Sequence, residues 1–281
     1  MRIGIQGMGL IGGSFCRALK RYTDHTVLGA TRNPATVAFA RSVGAIDGPV
    51  EDLAALDVCI VALPPEATMD FLRSHVRDFR PGAIVLDICG VKAPVVACAD
   101  ALYADAGVRY VGTHPMAGRE VAGFANSTAD LYRGASMILT PTDRTDRDAL
   151  ETVRQLSLDI GFGRVVEATP EEHDTIIAYT SQLAHVVSSA YIKSPTSEKV
   201  LGFSAGSFQD MTRVAKLDPD MWATLFLCNR GPLLREIDTL MENLAQFRTA
   251  LSAGDRGALV AQLQRGRELR EQVLLRQHTT A

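Results

Sequence analysis

The sequence predicts an α/β protein in which an N-terminal doubly wound sheet is followed by an all-α half. Short apolar runs alternate with helical patterns up to residue 167, as expected for a parallel sheet covered by helices on both faces. After about residue 168 the strand signals stop and helical patterns continue. We therefore expect two domains, residues 1–167 and residues 168–281.

The predicted elements follow from local patterns in the chain. Beta-rich apolar runs predict strands at Arg2–Gln6, Thr26–Thr31, Val58–Leu63, Ile84–Ile88, Tyr110–Gly112, Ser136–Leu139 and Arg164–Glu167. Helical patterns include Leu10–Tyr22, Pro34–Gly44, Pro170–Lys193, Gln209–Lys216, Asp220–Ala253 and Asp255–Gln277. Thr169 is a suitable capping residue for the first helix of the second half, because Pro170 then occupies the first helical position.

Composition excludes several classes of protein. The chain has 281 residues with 29 Lys+Arg against 32 Asp+Glu, so we expect no binding to nucleic acid through phosphate neutralisation. No stretch approaches the roughly 18 apolar residues of a membrane span, so we expect no membrane association. The five cysteines form no CxxC pair, which favours a cytoplasmic protein without disulfides or a metal site.

A glycine-rich motif directly follows the first predicted strand. Gly7, Gly9 and Gly12 form a GxGxxG pattern that opens the first helix. In this setting the first glycine permits a tight turn, the second lets the backbone approach a pyrophosphate, and the third allows close packing of helix and strand. We expect a Rossmann-type dinucleotide site. Its predicted residues are Gly7, Met8, Gly9, Leu10, Ile11 and Gly12.

The end of the second strand predicts which dinucleotide binds. NAD sites usually have an acidic residue there to bind the ribose 2′-hydroxyl, whereas this chain has Thr31, Arg32 and Asn33. A hydroxyl and a guanidinium suit a 2′-phosphate, which a carboxylate would repel. We therefore expect NADP to be preferred, with NAD possible, and we add Leu63 and Pro64 at the next strand end to the cofactor site.

The helical half has the pattern of an interface. Apolar residues recur at three- and four-residue spacing from Leu225 to Leu251, with charged residues between them. The alternative is the core of a monomeric helical domain. We expect a homodimer that forms through this half.

His114 is the strongest candidate for acid–base chemistry. It follows the predicted strand Tyr110–Gly112 at its carboxyl end, where ligands bind in open α/β sheets. A dehydrogenase that oxidises an alcohol needs a group to take the hydroxyl proton, and histidine serves this purpose near neutral pH.

Several blocks of sequence resemble the prephenate and arogenate dehydrogenases of tyrosine biosynthesis. They occur in the family's order along nearly the whole chain. They are Gly9–Ser14 (GLIGGS), Asp87–Lys92 (DICGVK), Thr113–Glu120 (THPMAGRE), Glu172–Asp174 (EHD), Ser181–His185 (SQLAH), Ser207–Ala215 (SFQDMTRVA) and Asp218–Trp222 (DPDMW). The resemblance implies an oxidative decarboxylation of a small-molecule substrate, a cyclohexadienol with a hydroxyl at C4 and a carboxylate at C1.

The resemblance also implies roles for individual residues. His114 would accept the proton of the C4 hydroxyl, Arg213 would bind a substrate carboxylate, and Glu120 would form an ionic network that gates access. Other positions would line the substrate pocket, with the tryptophan contributed by the partner subunit. These positions are Gly90, His173, Ser181, His185, Gln209 and Trp222.

Three positions depart from the family pattern. Gly90 replaces a serine that would hydrogen-bond near the catalytic histidine, a role that water or Thr113 would have to take. Gln182 replaces a histidine, and Gln209 replaces a lysine found in some members. The neutral Gln209 could favour a different side chain on the substrate.

Alternatives to this reading remain open. A 4-amino-4-deoxyprephenate dehydrogenase would not need the base His114, and 3-hydroxyacid-type dehydrogenases use a lysine on the helical domain. A redox-sensing protein that binds NADP as a signal is a third alternative. Regulated family members append a ligand-sensing domain after the helical half, whereas this sequence ends after Asp255–Gln277, so we expect no built-in tyrosine feedback.

Overall fold

The computed structural model describes the backbone of residues 1–279 and the side chains of residues 1–276. The chain divides into two compact units, one from Met1 to Arg230 and one from Gly231 onward. The helices between Pro170 and Cys228 therefore lie in the same unit as the sheet. The boundary at residue 167, which follows the change from strands to helices, stays a prediction.

The described residues of the first unit form one eight-stranded sheet with the order β3-β2-β1-β4-β5-β6-β7-β8. The strands are β1 (Arg2–Gln6), β2 (Thr26–Ala30), β3 (Gly48–Pro49), β4 (Val58–Val61), β5 (Ile84–Asp87), β6 (Arg109–Pro115), β7 (Ser136–Thr140) and β8 (Arg164–Glu167). Successive strands are added on one side of β1 up to β3 and on the other side from β4 onward. This switch in strand order between the parallel strands β1 and β4 creates a crevice at their carboxyl ends. The predicted doubly wound fold is confirmed.

One strand pair departs from the expected parallel arrangement. β6 and β7 are antiparallel, with His114 opposite Ile138 and Pro115 opposite Met137. The segment between these strands contains only the short 3₁₀ turn Phe124–Asn126 and no crossover helix, so β7 returns beside β6 in the opposite direction. This pairing also extends β6 to Pro115, three residues beyond the predicted end at Gly112.

Helices cover both faces of the sheet. They are α1 (Leu10–Tyr22), α2 (Pro34–Ser42), α3 (Pro65–His75), α4 (Ala93–Asp105) and α5 (Arg147–Asp159). Side chains of α1, α2 and α5 belong to one buried apolar cluster, and those of α3 and α4 belong to the other. The continuous apolar strands β4 and β5 are buried along their full length between the two layers.

The helices that follow the sheet complete the first unit and form the second. They are α6 (Pro170–Ile177), α7 (Ala184–Ile192), α8 (Gly206–Thr212), α9 (Pro219–Cys228), α10 (Arg230–Ser252) and α11 (Arg256–Thr279). A π-helical segment, Ala178–Leu183, joins α6 to α7. The predicted single helix Asp220–Ala253 is interrupted at Asn229, because Pro232 has no N–H to donate to the carbonyl of Cys228.

The second unit is a pair of helices, α10 from Gly231 and α11, which are joined through Gly254 at a φ of +64°. Large apolar side chains on both helices are exposed, among them Met241, Leu251 and Leu263. Among the described residues, no helix combines the length and apolar character needed to cross a membrane.

Candidate active site

The glycine turn lies at the carboxyl end of β1, in the crevice beside β4. Gly7 has a φ of +98°, and a Cβ there would lie 2.3 Å from the carbonyl oxygen of Ala62. A Cβ on Gly12 would lie 1.9 Å from the carbonyl oxygen of Gly7. Side chains are therefore excluded at both positions, as the motif predicts.

The space above this turn fits a dinucleotide pyrophosphate. A Cβ on Gly9 would meet no atom within 4 Å, and Gly9 caps α1 without a side-chain hydrogen bond, so backbone N–H groups of the first turn are left for a phosphate. Met8 is buried in the core and Leu10 is buried as well, whereas Ile11 is half-buried. Met8 can therefore contribute its backbone to this site and not its side chain.

The end of β2 lies against the same turn, because the N–H of Gly7 donates to the carbonyl oxygen of Ala30 at 2.8 Å. Thr31 is half-buried here and Arg32 is exposed. The Oδ1 atom of Asn33 accepts a hydrogen bond from the N–H of Ala35 at 3.0 Å, so this side chain caps α2. Thr31 and Arg32 thus directly follow the strand end at which folds of this type bind the ribose of a dinucleotide.

The next strand end completes this edge of the nucleotide site. The Leu63 side chain borders the turn, since a Cβ on Gly7 would lie 2.9 Å from its Cδ2 atom. Pro64 is exposed and precedes α3.

Three side chains form a hydrogen-bonded chain at the end of β6. His114 Nδ1 lies 2.9 Å from His173 Nε2, and His173 Nδ1 lies 2.7 Å from Asp174 Oδ1. The Asp174 carboxylate also accepts the backbone N–H groups of Lys92 at 2.7 Å and Ala93 at 2.9 Å. These donors fix the carboxylate, and with it the orientation of both imidazole rings.

This order of contacts sets the tautomer of His114. A carboxylate can only accept, so His173 donates from Nδ1 and its Nε2 accepts from Nδ1 of His114. The Nε2 atom of His114 is then an acceptor available to a ligand. The same arrangement corrects one expectation, because His173 is 2% exposed and lies behind His114 instead of lining the pocket.

His114 is held in its neutral form. The ring keeps some exposed surface, but burial lowers its pKa well below the ordinary value, and the nearby His173 and Lys92 act in the same direction. An uncharged imidazole at neutral pH is the form that can accept a proton.

A fully buried ion pair supports the strand that carries His114. Lys92 Nζ donates to Asp87 Oδ2 and to the carbonyl oxygen of Thr113, the latter at 2.6 Å. Tyr110 donates its hydroxyl to the other oxygen of Asp87 at 2.6 Å. Sequence reasoning assigned no role to Lys92, Asp87 or Asp174, although charged residues at the end of an apolar strand such as Ile84–Asp87 are a signal for such a network.

The free face of His114 is bordered by Gly90 and Leu225. A Cβ on Gly90 would lie 3.7 Å from Nε2 of His114 and 3.7 Å from Cδ2 of Leu225. Thr113 does not replace the missing serine, because its hydroxyl is buried and donates to the carbonyl oxygen of Asp87 at 2.5 Å. Neighbouring residues of a strand face opposite sides, so Thr113 points away from the side that His114 faces.

A second cluster, which we call the charged end, consists of Glu120, Arg213, His185 and Trp222. Arg213 Nη1 donates to Glu120 Oε1 at 2.8 Å, and the two side chains remain 67% and 58% exposed. His185 Nδ1 lies 3.0 Å from the carbonyl oxygen of Val214, and its ring lies against Trp222 with centroids 3.7 Å apart. Helix α9 carries both Trp222 and Leu225 and thereby links the charged end to the face of His114.

The remaining expected residues lie around the charged end. Trp222 contacts His185 of its own chain, whereas the resemblance implied a tryptophan from the partner subunit. Gln209 is exposed on α8, one turn before Arg213, and Ser181 is half-buried in the π-helical segment. Gln182 is buried and accepts a hydrogen bond from Asn229, so this departure from the family pattern has a structural role.

Within the described part of the chain, no group of three or more His, Cys, Asp or Glu side chains is arranged to hold a metal ion.

Comparison with known proteins gives matches along almost the whole chain. Residues 15–167 match the profile of the prephenate dehydrogenase nucleotide-binding domain, and residues 169–265 match that of the prephenate dehydrogenase dimerization domain. The prephenate dehydrogenase of Bacillus subtilis is 29% identical over 97% of this chain and 76% of its own length.

Two solved structures have the same architecture. Prephenate dehydrogenase from Aquifex aeolicus, in complex with hydroxyphenyl propionate and NAD⁺, is 28% identical, with a TM-score of 0.84 over 97% of this chain and 98% of that chain. Synechocystis arogenate dehydrogenase is 26% identical, with a TM-score of 0.84 over 97% of this chain and 100% of that chain.

Proposed function

This chain belongs to the prephenate dehydrogenase family, and we propose that it catalyses the oxidative decarboxylation of prephenate, arogenate or both. The products are 4-hydroxyphenylpyruvate and tyrosine, respectively. The observation that carries the proposal is the chain from Asp174 through His173 to His114, which presents an acceptor nitrogen beside the open face at Gly90.

The residues of the site divide the reaction between them. His114 Nε2 accepts the proton of the C4 hydroxyl, and His173 with Asp174 stabilises the imidazolium that forms. A nicotinamide dinucleotide bound at the glycine turn supplies the hydride acceptor. Loss of carbon dioxide makes the ring aromatic, so the protein mainly has to orient the substrate and polarise its hydroxyl.

The charged end binds the other side of the substrate. The C1 substituents lie opposite the C4 hydroxyl on the ring, and the charged end at Trp222 is one helical turn along α9 from Leu225, which borders the face of His114. Arg213 has the planar donor geometry to bind a carboxylate with two hydrogen bonds.

A turnover assay tests this activity. Purified protein is incubated with prephenate or arogenate and with NAD⁺ or NADP⁺, and reduced nicotinamide is followed by absorbance while the product is identified by its spectrum. The His114 chain also favours this activity over 4-amino-4-deoxyprephenate oxidation, because that substrate has no hydroxyl proton for the base to accept. Turnover of the amino compound alone would reverse this choice.

We further propose that NADP is the preferred dinucleotide. Thr31 and Arg32 lie at the end of β2 beside the glycine turn, and no carboxylate occupies either position. Replacing Thr31 by Asp is expected to shift preference toward NAD, since the carboxylate repels a 2′-phosphate and can accept from a 2′-hydroxyl. The measurement is kcat/KM with each dinucleotide, and Thr31→Val serves as the uncharged control. A higher wild-type kcat/KM with NAD would contradict the proposal.

We propose that the protein is an obligate homodimer. The exposed apolar residues of α10 and α11, such as Met241 at 62% and Leu263 at 64%, are suitable for coverage by a second copy. Sedimentation velocity over a range of low concentrations is expected to give about twice the chain mass of 30.3 kDa, with activity lost wherever dissociation occurs. An active monomer would be evidence against this assembly.

A further inference from the structure

The ion pair at the charged end is unusual among the contacts of the site because it remains open to solvent. The side chains of Arg213 and Glu120 are 67% and 58% exposed and are joined by one hydrogen bond of 2.8 Å. Glu120 lies on the segment after β6, and Arg213 lies in the 3₁₀ turn after α8. An exposed ion pair of this kind contributes little to the stability of the fold. Because both side chains are exposed, their charges are accessible to a ligand.

We propose that Glu120 and Arg213 together form a receptor for an α-amino-acid side chain, in which Arg213 binds a carboxylate and Glu120 binds the ammonium group. Arogenate, whose side chain carries the ammonium, is then preferred over prephenate, whose side chain carries a ketone. This inference rests on the activity proposed above and specifies its substrate.

The two substrates differ in the charges that they bring to the Arg213–Glu120 pair. An ammonium and a carboxylate can each take over one member of the Arg213–Glu120 pair, so both protein charges keep an opposite charge. A keto acid brings only carboxylates. It occupies Arg213 and leaves Glu120 facing a negatively charged ligand without a counterion, which is unfavourable.

Two side chains near Arg213, those of His185 and Gln209, do not supply a second positive charge. Burial lowers the pKa of His185, and the charge of Arg213 acts in the same direction, although its hydrogen bond to Val214 opposes the shift. The ring is therefore neutral near pH 7. Gln209, one turn before Arg213 on α8, is neutral as well. The charged end thus matches a zwitterionic side chain better than a side chain that carries only a negative charge.

The test measures kcat/KM for arogenate and for prephenate in the wild type, in Glu120→Gln and in a matched control. Each measurement is made in two separate assays, one with saturating NADP⁺ and one with saturating NAD⁺. We expect the wild type to favour arogenate in kcat/KM by about 10-fold or more, and Glu120→Gln to lower that ratio by about 10-fold. The control is Glu151→Gln, which removes a similar exposed carboxylate that pairs with Arg154 on α5. Its ratio is expected to equal that of the wild type.

The outcomes separate the substrate preference from the activity itself. Turnover of prephenate with an equal or higher kcat/KM, or a ratio unchanged by Glu120→Gln, would overturn the receptor while leaving the dehydrogenase activity standing. If neither substrate reacted, calorimetric binding of L-tyrosine and 4-hydroxyphenylpyruvate would still decide the question. Tighter binding of tyrosine that is lost in Glu120→Gln supports the receptor, and equal binding of the two ligands refutes it.

Discussion

Replacing His114 by alanine is expected to lower kcat by about 10²-fold or more, the usual contribution of a positioned acid–base group. The substitution removes Nε2, the acceptor beside Gly90, and leaves the substrate hydroxyl without a base. Binding of the dinucleotide should be nearly unchanged, because the glycine turn lies at β1 and β4 whereas His114 lies on β6. Steady-state kinetics and a dinucleotide titration measure the two effects separately.

The pH profile provides a second readout of the same assignment. His114 must be neutral to act, and its pKa lies well below the ordinary 6.5 because its ring is buried near His173 and Lys92. As pH falls, the base is protonated only below that lowered pKa, so the acidic limb of kcat/KM should begin below pH 6.5. His75→Ala, which removes an exposed histidine paired with Asp78, is the matched control. Near-normal kcat in His114→Ala would show that another group takes the proton.

Local signals in the sequence were sufficient for the elements that hold the dinucleotide. The observed bounds of β1 and α1 are those predicted, because an apolar run, a glycine cluster and an amphipathic pattern follow one another without ambiguity. The roles of Gly7 and Gly12 could also be predicted, since each depends on backbone geometry within a single turn.

Features that depend on distant partners could not be predicted in this way. The extension of β6 to Pro115 depends on its antiparallel pairing with β7. At the break between α9 and α10, the buried side-chain amide of Asn229 donates to Gln182 Oε1 and to the carbonyl oxygen of Asp174. Hydrophobic periodicity continues across Asn229, so the only local sign of the interruption is Pro232, and the partners of the Asn229 amide have no local sign at all.

The same limit applies to His114, the proposed base. Its position after a strand end identified His114, but the hydrogen bonds that set its tautomer come from residues 59 and 60 positions later in the chain. The resemblance placed His173 in the substrate pocket. A resemblance carries over the position of a residue in the chain, but not the direction in which its side chain points. The structure places it behind His114, where it fixes the base.

Replacing Arg213 by alanine is expected mainly to raise KM, with a loss of about 2–4 kcal/mol in binding of the substrate carboxylate, or roughly 30- to 700-fold in kcat/KM. Part of this loss arises because Glu120, which now pairs with Arg213 at 2.8 Å, would be left without a counterion and would repel the substrate. Arg213→Lys should restore activity only in part, since an ammonium cannot reproduce the planar two-bond contact. Full rescue by lysine would mean that Arg213 acts as a diffuse charge.

A double-mutant cycle separates the two contributions to the Arg213 effect. If repulsion by Glu120 adds to the lost contact, Arg213→Ala in a Glu120→Gln background should cost less in kcat/KM for prephenate than Arg213→Ala alone. The coupling should be present for prephenate, which carries only negative charges, and smaller for arogenate, whose ammonium loses its partner in the Glu120→Gln background. Strict additivity for both substrates would show that the two side chains act independently, and Arg213 would then bind the carboxylate without help or hindrance from Glu120.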